Sequence, residues 1–149
     1  MNRNVDVFVT GIHQREGEPT EKVETVATGI YEELADGSRI VEYDEEQGAS
    51  GGSLKVRNRV QIEPGGRTME IIRGGAASSK LCFGESVEYD TEYLTPYGSM
   101  QMKVKTNSFD FNTHGDDEMR IMAEYDLEIE GQVMSRSMIV LDIKNAVAN

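Results

Sequence analysis

The amino-acid sequence predicts an all-β fold, a single antiparallel closed barrel of about 8–10 strands. Three observations predict it. Apolar and polar residues alternate with period two almost to the end of the chain, and turn residues fall at the breaks between these stretches. No stretch of ordinary length carries the pattern of an amphipathic helix.

Ten ribbons follow from the alternation, at roughly 4–14, 21–35, 38–45, 54–63, 67–74, 79–84, 86–94, 97–112, 117–130 and 132–144. In the first, Val9, Gly11 and His13 share a phase; the second and third carry Tyr31 and Tyr43. In the fourth, Leu54, Val56, Val60 and Ile62 alternate with Lys55, Arg57, Arg59 and Gln61. Met69, Ile71 and Arg73 share one phase of the fifth. The sixth places Leu81 and Phe83 opposite Cys82. In the seventh, Val87, Tyr89, Thr91 and Tyr93 alternate with Glu88, Asp90 and Glu92; in the eighth, Met100, Met102 and Val104 alternate with Gln101, Lys103 and Lys105.

The ninth ribbon is the clearest. Met119, Ile121, Ala123, Tyr125, Leu127 and Ile129 lie on one face, with Arg120, Met122, Glu124, Asp126, Glu128 and Glu130 on the other. A strand separates these sets, whereas a helix would scatter them. In the tenth, Met134 and Met138 fall out of phase with Ile139, Leu141 and Ile143, which points to a bulge. One dry and one wet face per ribbon is the pattern of antiparallel sheets.

Asp36-Gly37, Pro64-Gly65-Gly66, Thr95-Pro96-Tyr97-Gly98, His114-Gly115-Asp116-Asp117 and Glu130-Gly131 supply turns, with glycine accepting positive φ. The glycine- and serine-rich stretch from Glu46 to Ser53 reads as a mobile loop. A flat sheet of this many strands would leave open edges and an uncovered apolar face, so closure is favoured. No break in composition and no repeat divides the chain, and residues 1–149 read as one β-barrel domain.

Composition narrows the function. Cys82 is the only cysteine, so no intrachain disulfide forms, and a lone thiol suits a reducing cytosol. The N-terminal residues lack the apolar run of a signal peptide, and no run of about 18 apolar residues is present. These features lead us to expect a cytoplasmic protein with no membrane association. Fifteen basic against twenty-seven acidic residues give a net charge of −12, which opposes nucleic acid and anionic lipid. The one basic run, Lys55 to Arg59, makes a single ribbon face.

The middle of the chain resembles the YwiB-like family of small bacterial proteins. The resemblance rests on Met69-Glu70-Ile71-Ile72-Arg73-Gly74-Gly75, Leu81-Cys82-Phe83, Tyr93-Leu94-Thr95-Pro96-Tyr97-Gly98 and Met100-Gln101-Met102-Lys103-Val104-Lys105-Thr106, in that order. Thr28-Gly29-Ile30-Tyr31, Tyr43-Asp44-Glu45-Glu46 and Glu124-Tyr125-Asp126-Leu127 extend it over nearly the whole chain. It implies a calycin-like, lipocalin-related barrel and brings no activity with it. To read ligand carriage from lipocalins would be analogy at the level of the fold.

Arg73 is the first candidate site residue. Its phase turns a guanidinium toward the apolar face, where it needs a carboxylate, carbonyls or an anionic ligand. If Gly74 and Gly75 end the strand, Arg73 instead sits at the rim, paired with an acid. Tyr31, Tyr43, Tyr89, Tyr93 and Tyr125 form the second constellation. Their amphipathic rings suit either a lined cavity holding a small molecule or a filled core with hydroxyls bonded to backbone.

His114 with Asp116, Asp117 and Glu118 reads as a solvated hairpin tip and His13 as structural, so neither a metal nor another cofactor is expected. Cys82 and Ser78-Ser79 lack the setting of a nucleophile, and no catalytic residue is assigned. Two functions lead, and an enzyme comes third. One is a barrel binding a small apolar or amphipathic molecule in its interior. The other is an interaction module with a filled core, docking a basic protein partner or a second copy of itself. The second would show an outer apolar patch around Met122, Met134 and Met138.

Overall fold

A computed structural model describes residues 2–49, 52–74, 79–85, 87–95, 98–115 and 118–145, apart from the side chains of residues 2, 46–49, 52–55, 79 and 93–95. The described residues form ten strands: β1 (Asn2–Gln14), β2 (Glu21–Glu33), β3 (Arg39–Ala49), β4 (Gly52–Ile62), β5 (Thr68–Arg73), β6 (Ser79–Gly84), β7 (Glu88–Thr95), β8 (Gly98–His114), β9 (Glu118–Ile129) and β10 (Gln132–Asn145). Among the described residues no helix is long and apolar enough to cross a membrane.

All ten strands form one antiparallel sheet in the order β6-β5-β4-β3-β2-β1-β10-β9-β8-β7. Every neighbour in the sheet is a neighbour in the chain except β1 and β10, which pair from Val5↔Asn145 to Gln14↔Arg136. The sheet curls until its two ends meet. There Val87 N donates to Gly84 O (3.1 Å), Thr106 N to Val87 O (2.9 Å), and Gly84 N to Thr106 Oγ1 (3.3 Å). The result is the nearly closed antiparallel barrel that the alternation predicts.

Gly84 is buried in this join, where an added Cβ would lie 2.9 Å from both Thr68 Cγ2 and Val87 Cγ2. A side chain would push the two ends of the sheet apart. β8 bends here through a bulge between Thr106 and Ser108, which tightens the local twist.

Register explains the core. Val7, Val41, Val60, Ile62, Met69, Val104, Ile121, Ala123 and Leu141 all lie on inward phases and are fully buried. Phe83 of β6 meets Tyr125 of β9 edge-on across the interior, with ring centroids 5.0 Å apart. The middle of the barrel is therefore filled by side chains.

The Asp36-Gly37 turn forms as expected: Gly37 has φ 93°, and Ser38 N donates to Asp36 Oδ1 (2.8 Å). Glu130 and Gly131 also take positive φ and join β9 to β10. The last ribbon's change of phase is a bulge between Val133 and Ser135, which turns Met134 outward. One expectation is corrected. The stretch Glu46 to Ser53 is mostly strand, because Gln47↔Leu54, Gly48↔Ser53 and Ala49↔Gly52 extend the β3–β4 ladder. Backbone pairing holds a hairpin arm that side-chain composition does not announce.

Candidate functional site

Hairpins alternate between the two ends of an antiparallel meander, so the inward phases can be followed from one end to the other. Toward the end that holds the β3–β4 and β5–β6 connections, the inward residues turn polar. β3 runs Val41, Tyr43, Glu45; β4 runs Val60, Asn58; β5 runs Ile71, Arg73. Across the barrel β9 supplies Tyr125, β10 Ser137 and Ser135, and β1 His13.

The wall opens at the same end. β2 and β3 pair only from Gly29↔Tyr43 to Glu33↔Arg39. Beyond this short ladder β2 pairs with β1 alone and β3 with β4 alone, and the strands fork. Gly29 sits in the crotch, where an added Cβ would be 2.6 Å from Glu42 O. A groove of about 500 Å³ lies against the fork, with Gly29, Glu42, Tyr43 and Arg57 among its walls.

Arg73 takes the rim position with an acid partner. Its Nη2 donates to Glu45 Oε2 at 3.1 Å, and Asn58 Nδ2 donates to the same oxygen at 3.2 Å. Both side chains of the ion pair keep some solvent contact, so its attraction is partly screened. Asn58 is 1% exposed and spends its amide on this carboxylate, as a buried polar group must.

The two nearest tyrosines are held in the neutral form in this setting. Burial pushes the Tyr43 phenol up to about 12, the Glu45 carboxylate adds to this, and Arg73 opposes it. Burial also raises Tyr125, while the neighbouring Ser137 hydroxyl and the charge of Arg73 pull the other way. Arg73 therefore acts on phenols from opposite walls of the barrel. Ser137 further bonds His13 Nδ1 (2.8 Å) and Ser135 Oγ (3.1 Å). The imidazole lies over Gly11, whose missing side chain leaves room for the ring.

The remaining tyrosines are elsewhere. Tyr31 is buried at the opposite end, beside Arg3 and Arg39. Tyr89 is half-buried near Cys82 where the sheet ends meet. The side chain of Tyr93 lies outside the described residues. Burial and the neighbouring Glu70 carboxylate push the Cys82 thiol up, which works against a reactive thiolate.

His114 is exposed, Asp116 and Asp117 lie outside the described residues, and no metal-ligating cluster occurs among the described residues. Of the outer methionines, Met134 is exposed while Met122 and Met138 are half-buried; the largest apolar exposures are at Val26, Val133 and Ile30.

Sequence reasoning picked out Arg73, Tyr43 and Tyr125 but passed over Glu45, Asn58, Ser137 and His13 as parts of the same site. Their signal was available: each is a polar residue on the apolar phase of its ribbon.

Known proteins agree with this architecture. The crystal structure of ywiB protein from Bacillus subtilis superposes with a TM-score of 0.80 and 19% identity, covering 98% of this chain and 94% of that one. At that identity the likeness establishes the fold. No curated protein matches the chain. A family model described as Domain of unknown function (DUF1934) matches residues 7–141, and the chain belongs to that family.

Proposed function

We propose that this barrel is a cytoplasmic, non-enzymatic binding protein that holds a small amphipathic molecule at its forked mouth. The observation that carries the reading is the change of the inward phases from apolar to polar at the end where the β2–β3 ladder stops. An apolar portion would rest on the upper surface of the filled core. A polar group would meet Arg73, Glu45 and the hydroxyls of Tyr43 and Tyr125. Because the middle of the barrel is packed, the site is shallow rather than a deep calyx.

Binding is favoured over catalysis by the state of Ser137. Among the described residues it is the one hydroxyl bonded to a histidine in the mouth, but it is 7% exposed and tied to Ser135 as well. A nucleophile needs a reachable oxygen. A second reading, docking of a protein partner or a second copy, is favoured by Val26 and Ile30, which are 71% and 52% exposed on the outer face of β2 beside the groove.

Native mass spectrometry of protein gently purified from its own cells separates them. A bound small mass, released on denaturation and lost in both Arg73→Ala and Tyr43→Phe variants, supports the mouth site. Ligand-free wild-type protein overturns it, and a dimer dispersed by Val26→Glu supports the second reading.

A further inference from the structure

The arginine that most needs a counter-ion is at the other end of the barrel. Among the described residues three arginines are half-buried: Arg3, Arg39 and Arg73. Arg73 has Glu45. Arg39 lies on the inward phase of β3, in register with Ile62, and forms no ion pair with any described residue, although acids outnumber bases in the chain by twenty-seven to fifteen.

Its surroundings hold it in place without an ion pair, although Glu33 stands opposite it across the β2–β3 ladder. Nε donates to Tyr31 Oη at 3.2 Å, and Cζ stands 5.2 Å from the centroid of the Phe111 ring. Gly66 packs on that same ring, so Phe111 is backed by the β4–β5 turn. Arg3 places its own Cζ 4.5 Å from the centroid of Tyr31. Two guanidiniums thus share one buried tyrosine.

We infer that this end of the barrel binds an oxyanion, a phosphate or carboxylate group, on the terminal nitrogens of Arg39 with Arg3 alongside. Stacking on an aromatic ring strips water from one face of a guanidinium and fixes its plane. With Nε engaged by Tyr31, Nη1 and Nη2 have no described acceptor, and this pair forms the fork that grips two oxygens of one anion. A partly buried cation lacking a carboxylate gains more from such a ligand than an exposed one. Arg73 is not equivalent, because its fork already faces Glu45. The site is separate from the mouth and stands or falls independently of the ligand proposed there.

The test is calorimetric titration of the full chain with inorganic phosphate at fixed ionic strength, and with acetate in parallel. We expect binding of at least one of these anions, weakened at least about 10-fold in Arg39→Gln. Arg120→Gln, at an exposed arginine outside both sites, leaves the affinity unchanged. Arg39→Lys, which keeps the charge but loses the planar fork, gives an intermediate affinity and guards against a folding defect in the glutamine variant. Phosphate alone marks a phosphate-selective site, and both anions mark a general oxyanion site. No binding of either anion by the wild type, or equal affinity in Arg39→Gln and Arg39→Lys, overturns the inference.

Discussion

Replacing Phe83 and Tyr125 by leucine, singly and together, tests whether the two ends of the sheet are joined through the interior. Phe83 sits on β6, a terminal strand of the sheet, and is 1% exposed; Tyr125 belongs to β9, near the other end of the order. Their rings meet at 5.0 Å and 66° only because the sheet curls. Phe83→Leu keeps most of the volume and costs about 1–2 kcal/mol. Tyr125→Leu costs about 1–3 kcal/mol, since a buried aromatic ring is replaced by a smaller side chain.

An edge-to-face pair contributes about 0.5–1.5 kcal/mol beyond area burial, and this is the coupling expected from the double-mutant cycle. Equilibrium urea unfolding gives each stability, provided the m-value is unchanged across the set. Additive costs, with a coupling within about 0.3 kcal/mol of zero, would refute the contact and with it this account of closure.

Two further outcomes are expected. The folded chain holds the Tyr43 proton up to about pH 12, whereas an unperturbed phenol releases it at 10.0. Its contribution is therefore complete below about pH 10 and is lost as the pH rises to 12, about 2–3 kcal/mol in all. Urea unfolding across that window should show a smaller loss in Tyr43→Phe than in wild type, and parallel losses would contradict the burial argument. Gly29→Ala forces a Cβ to within 2.6 Å of Glu42 O, so β2 and β3 must separate at the fork. A loss of about 1–3 kcal/mol is expected by urea unfolding, and an unchanged midpoint would mean that the crotch yields freely.

Much of the architecture was legible because strand formation is a local matter. Period-two alternation marked all ten strands, and Met134 against Ile139 announced the bulge in β10. The β3–β4 arm was not legible: Gly48, Ala49 and Gly52 carry no alternation, and ladder pairing alone makes them strand.

The candidate site divides in the same way. Arg73 on an apolar phase requires a partner, and the sequence alone determined that requirement. Which acid answers it was open among twenty-seven, because Glu45 lies 28 positions away and is brought close by the stagger of two ladders. Inward phase also grouped Tyr31 with Tyr43 and Tyr125, since phase reports which face a residue is on and says nothing of its height along the barrel. The sequence by itself determined strands, faces and the presence of polar groups inside. Only the tertiary structure decided that Tyr31 meets Arg39 at one end while Tyr125 shares the field of Arg73 at the other. Height is set by the register of successive ladders and the curl of the whole sheet, and neither is encoded within a single strand.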